Sequence, residues 1–163
     1  MKQIVGRILM VLCLVLLVVP AEAQSRKGRV SNAKKTSVQK TPKIVGKHML
    51  SLQWLSWKKF GSCTIDPADE NGEYAIYGMQ RGGDEPQNED DYLRIDGVIT
   101  FTDPYHLKFN GTIRTKVYHI NGGNEVIREG EYDFVRKENR KYWRLQQEQN
   151  PVDGCYDYVD IYF

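Results

Sequence analysis

Arg128 is the residue of this chain best placed to hold an anionic group, and Asp157, His119, Gln147, Tyr132 and Thr115 are the polar residues expected around it. In the alternating segments that carry them, they fall on the same side as Ile99, Phe109, Phe134 and Trp143. Successive side chains of a strand point to opposite faces, so all of these share the apolar one. A charge there is costly unless it is paired or reaches water. Two readings follow. In the first, Arg128 binds a carboxylate at the mouth of a pocket, His119, Tyr132 and Gln147 orient it beside Thr115 and Asp157, and the apolar wall takes the ligand's body. In the second, Arg128 and Asp157 are a structural pair that seals one end of the fold.

Catalytic chemistry finds less support. His48, His106 and His119 are dispersed, without HExxH or CxxC spacing for a metal. There is no Gly-x-Ser-x-Gly elbow and no phosphate-cradling loop. Carboxylates alternate with Lys and Arg and read as a solvated face; a pair of carboxylates from distant segments is the enzymatic alternative. The expectation is a non-enzymatic protein with no catalytic residue, metal or cofactor.

The elements that must position these residues begin after a processing signal. Lys2 and Arg7 precede an apolar run from Ile8 to Val19, Pro20 breaks it, and Ala21-Glu22-Ala23 supplies a cleavage site. Residues 1–23 therefore read as a signal peptide, which implies a periplasmic or extracellular protein. In such a compartment Cys63 and Cys155 are expected to form a disulfide, with two free thiols as the alternative. From Gln24 to Lys43 there are seven basic residues and no acidic one. That segment reads as a disordered tether, either a spacer or a contact for an anionic surface. From Ile44 onward 14 Lys/Arg stand against 20 Asp/Glu, a net of −6, which argues against nucleic acid as a partner. Residues 44–163 have the size of one domain.

Period-two alternation recurs through that domain without sustained helical periodicity. It predicts strands near 47–57, 73–80, 91–102, 106–120, 125–136, 140–149 and 155–163, the first long enough for two. LRIDGVITFTDPYHLKFNGTI is nearly symmetric about Pro104, so a hairpin there places Gly97 opposite Gly111, Ile99 opposite Phe109 and Phe101 opposite Leu107. A turn at Asn121–Asn124 sets Arg114 opposite Glu131 and Lys116 opposite Glu129, and puts Thr115, Gly130, Gln147 and Asp157 in one row. A further turn near 137–140 brings Asp133 opposite Arg144 and Phe134 opposite Trp143. A last one at 150–154 pairs Arg144 with Asp160, Trp143 with Ile161 and Tyr142 with Tyr162. The expected architecture is all-β, an antiparallel up-and-down meander of seven or eight strands closing into a barrel, with a two-sheet sandwich as the alternative.

Ile44-Val45-Gly46-Lys47-His48-Met49-Leu50, followed by Trp54 and Trp57, resembles the Gly-x-Trp opening of the lipocalin-like, or calycin, barrels, with His48 where the tryptophan would stand. The folded part is similar to small exported bacterial proteins of undefined role that carry such barrels. That resemblance implies a small apolar or amphipathic molecule held in the lumen, which with Arg128 becomes an anionic one. The rival expectation is a protein- or polysaccharide-interaction module with a filled barrel, docking through outward tyrosines such as Tyr142, Tyr158 and Tyr162.

Overall fold

The computed structural model describes residues 43–83 and 85–163. The expected signal peptide and, save for Lys43, the basic tether lie outside the described residues. The domain has eight strands in chain order: β1 (Gly46–Leu52), β2 (Gly61–Ile65), β3 (Tyr74–Arg81), β4 (Tyr92–Asp103), β5 (His106–Lys116), β6 (Val126–Val135), β7 (Tyr142–Leu145) and β8 (Val159–Tyr162). Each pairs antiparallel with the next, and β8 returns to β1, so the meander closes into a barrel and not a sandwich. Among the described residues, helix is confined to single 3-10 turns at Pro86–Asn88 and Asn121–Gly123, and no helix is long and apolar enough to cross a membrane.

Every strand sends apolar side chains inward. Leu50, Ile65, Ile76, Ile95, Phe109, Phe134, Trp143 and Ile161, one from each strand in order, are 0–1% exposed. A lumen with room for water would show as exposure on these walls, so the barrel is packed with its own side chains. The glycines explain how. Gly97 pairs with Gly111, which pairs in turn with Gly130, making one row across β4, β5 and β6. A Cβ on Gly97 would stand 2.9 Å from the Phe109 ring and 2.4 Å from the Asn110 carbonyl; on Gly111, 2.8 Å from that ring and 2.3 Å from the Asp96 carbonyl. Glycine lets the strands coil tightly here and leaves its inner space to Phe109. Phe109 meets Phe134 edge-on at 6.1 Å, and beyond it Phe101 meets Trp143 at 5.6 Å.

Three expectations need correction. Residues 58–72, read as irregular, contain β2; the first strand stops at Leu52 and turns. Gly61 permits that strand's approach, since a Cβ there would lie 2.3 Å from the Met79 carbonyl. Next, β5 and β6 pair four residues away from the expected register, with Arg114 opposite Ile127 and Lys108 opposite Asp133. The connection is a wide loop and not a tight turn: Val117 and Ile120 fold back into the core, which shortens both strands. Lastly, β6 and β7 slip by two, so that Phe134 faces Leu145 and Arg144 faces Val135. Both slips are even, so every side chain keeps its face. The β4–β5 and β7–β8 registers are as expected, including Tyr142–Tyr162.

His48 braces the closure. Its Nδ1 lies 2.9 Å from the Tyr162 carbonyl and its Nε2 2.5 Å from that of Ile44, linking β1 to β8 and to the entering chain.

Candidate functional site

Two inward charged residues, Arg128 and Asp157, meet at the barrel end where β6 begins, beside the 146–158 hairpin. Arg128 leaves β6 on its inner face, and with side-chain exposure of only 4% its guanidinium cannot stay unpaired. Nη2 donates to Asp157 Oδ2 at 2.6 Å, and Nη1 donates to the Gln147 carbonyl at 2.9 Å. The same Asp157 oxygen accepts from Asn150 Nδ2 at 3.0 Å, while Oδ1 accepts from Trp54 Nε1 at 3.1 Å. Both carboxylate oxygens are thus occupied. Burial nevertheless raises the Asp157 carboxyl above its ordinary range, outweighing the pull of Arg128, Asn150 and Trp54.

Of the six expected ligand-binding residues, the structure joins Arg128 and Asp157 directly and disperses the rest. Thr115 is buried but sits opposite Leu93 and Val126, so the row with Gly130, Gln147 and Asp157 does not form. Gln147 is exposed; its backbone serves Arg128, while its side chain accepts from the Asp133 amide at 3.0 Å and donates to the Asp133 carboxylate. Tyr132 is half-buried beside Phe109, ring centres 6.3 Å apart. His119 lies in the loop after β5, exposed, and touches the network only through the Trp54 ring at 5.7 Å. The apolar wall of Ile99, Phe109, Phe134 and Trp143 exists, but as solid core. Asn150 and Trp54 complete the cage around Asp157 and are not among the residues that the sequence singles out as a site. Asn150 falls in a turn, and Trp54, though within the predicted strand 47–57, lies past the end of β1, where the chain turns and alternation no longer tells which way a side chain points.

Cys63 and Cys155 are free thiols, which corrects the expected disulfide. Cys63 pairs with His48, well inside the barrel, whereas Cys155 precedes the Val159–Leu52 pair that marks the opposite rim. That offset is on the order of 20 Å along the strands, against a Cα separation of about 7 Å at most for a bridge. Cys63 is instead a core residue, and burial pushes its thiol up to about 12. Cys155 is part-exposed, its thiol also raised, by desolvation and the neighbouring Asp153. Neither is activated as a nucleophile. Among the described residues no group of three or more His, Cys, Asp or Glu could hold a metal ion.

What this end can do chemically is limited: its cation is neutralised by Asp157 and its carboxylate is caged. Comparison with known proteins adds a family. The model of the PM1083 family matches residues 29–163. The chain is 40% identical over 121 residues to an uncharacterised protein, PM1083, of Pasteurella multocida (strain Pm70), covering 74% of each chain. No solved structure gives a significant match.

Proposed function

The chain belongs to the PM1083 family, and we propose that it is an exported, non-catalytic interaction module, a filled barrel that meets a protein or polysaccharide partner with its outer face. One observation carries this reading. Arg128, the cation that would receive an anionic ligand inside the barrel, is buried against Asp157 in a lumen already packed with aromatic and aliphatic side chains. Opening that pair would strand two charges in an apolar interior, a penalty of several kcal/mol that a small ligand would have to overcome. The closed eight-stranded meander supports the likeness to calycin barrels, and the leader-like sequence of residues 1–23 supports export. What differs from a ligand carrier is the interior.

The outer face offers recognition chemistry instead. Tyr142 and Tyr162 lie 5.2 Å apart, and the Arg144 guanidinium stands 4.3 Å from the Tyr158 ring centre. Native mass spectrometry of the purified full chain tests the reading. A bare polypeptide mass is the expected result. A stoichiometric lipid-like adduct would overturn it and return the lumen to a small amphipathic ligand.

A further inference from the structure

The outer surface of β3, β4 and β5 carries an arrangement that the barrel end does not use. Arg94 of β4 stands directly across from Arg114 of β5, with Met79 of β3 on its other side. Like charges directly opposite one another destabilise a sheet. One row away, Arg81 faces Tyr92. These side chains border a cavity of about 450 Å³ whose acidic members are Asp96 and Glu125. Glu125 is already engaged, accepting from the Tyr92 hydroxyl and pairing with Arg114 at 3.2 Å. Among the described residues no carboxylate lies within salt-bridge reach of Arg81 or Arg94. Uncompensated guanidiniums converge on one cavity, in a domain whose net charge from Ile44 onward is −6. Their planar forks suit an anion that can be gripped by two donors at once.

A second cavity, also about 450 Å³, shares Met79, Arg94 and Asp96 with the first and continues past Tyr77 to Lys47 of β1. Together they form a groove across five strands, about 19 Å at a strand spacing near 4.8 Å. That length fits a chain of sugar units better than a single small molecule. Its polar lining points the same way. Asp96, Thr112 and Ser62 are partners for hydroxyl groups, and Tyr77 and Tyr92 supply flat apolar faces. Asp96 beside Arg94 disfavours a ligand as densely charged as polyphosphate, and favours carboxylates spaced by hydroxyl-bearing rings.

We propose that this groove binds an acidic polysaccharide, with Arg94 and Arg114 clasping the carboxylate of a uronate-type sugar and Arg81 flanking it. The proposal rests on the outer-face reading above and names its partner class. Isothermal titration of the full chain with polygalacturonate is the test, with dextran and polyphosphate as comparison polymers. Binding of polygalacturonate and not dextran is expected, weakened at least ten-fold by Arg94→Gln and less by Arg94→Lys. All variants carry the same basic amino-terminal segment, so the ratio of affinities reads the groove alone. Arg94 is exposed, and relief of its repulsion with Arg114 should leave the thermal midpoint of Arg94→Gln unchanged or higher. Unchanged affinity in Arg94→Gln, equal binding of dextran, tighter binding of polyphosphate, or no binding by the wild type would overturn the proposal. Native mass spectra of the same preparation keep the two readings apart: a bare chain that ignores polygalacturonate removes only this one, whereas a co-purified small molecule removes the filled barrel.

Discussion

From β3 round to β6 the barrel wall is a continuous backbone ladder, in which β4 and β5, of 12 and 11 residues, pair from Tyr92–Lys116 to the Asp103–His106 turn and β6 follows from His106–Val135 to Thr115–Val126. From β6 round through β7 and β8 to β1 the wall is thin. The strands β7 and β8 have four residues each, and β6 meets β7 at Phe134–Leu145 and Val135–Arg144, followed by one more backbone bond from the Gln146 amide to the Asp133 carbonyl. Side chains do there what peptide groups do elsewhere. Arg128 spans from β6 to the Gln147 carbonyl and Asp157; Arg144 grips Asp160 with two bonds of 2.7 Å; Gln53 donates to the Tyr156 carbonyl and accepts from the Tyr158 amide. One closed sheet can thus be held by two kinds of bond, and the two should fail differently. A ladder tolerates loss of a side chain but not intrusion of one. A seam of ion pairs is the reverse.

The largest effect should come from the seam. Arg128→Leu leaves Asp157 buried without its cation and is expected to cost about 3–5 kcal/mol in urea unfolding, while adding Asp157→Leu to it recovers most of that loss. A single variant as stable as the wild type would show that the seam does not depend on this pair. On the ladder side, Gly111→Ala puts a methyl group against the Phe109 ring and the Asp96 carbonyl, and about 1–3 kcal/mol of destabilisation is expected from overpacking. Adding Phe109→Leu should relieve part of it; no relief would mean that the glycine is there for the backbone and not for the ring. The smallest effect is one of pH. Because burial raises the Asp157 carboxyl, the folded state holds that proton more tightly than the unfolded chain, so the contribution of this group falls as pH rises through the folded value. Unfolding of the wild type compared with Asp157→Asn between pH 3 and 6 should show that slope, under about 1.4 kcal/mol per pH unit. An opposite slope would mean that Arg128 more than offsets the burial.

The ladder half was largely legible in the sequence, and the seam was not. Gly97 and Gly111, mirrored about Pro104, have one register that aligns them, and the apolar positions agree with it. That register also sets Arg94 against Arg114, so this part of the groove is legible in the pattern; placing Arg81 needs the β3–β4 pairing as well. Charge patterning misled between β5 and β6. Lys108, Arg114 and Lys116 alternate against Glu125, Glu129, Glu131 and Asp133, and a slip of four still leaves cations beside carboxylates, here Lys108 with Asp133 at 3.1 Å and Arg114 with Glu125 at 3.2 Å. Surface pairs of this kind contribute too little to select a register, whereas burying Val117 and Ile120 in the loop does. The Arg128–Asp157 pair followed from side-chain parity alone, but the cage from Asn150 and Trp54 needed coordinates, and the number of cysteines carried no information on their separation.

The β1–β8 closure has a kinetic consequence. Leu50 must find Ile161, and Leu52 must find Val159, across more than a hundred intervening residues, while the hairpin at Pro104 assembles from near neighbours. Contacts that distant form late, because the entropy of the intervening loop must be lost before they give anything back. Until then β1 and β8 are two bare edges, open to strands of other molecules, so refolding should be slow and its yield should fall as protein concentration rises.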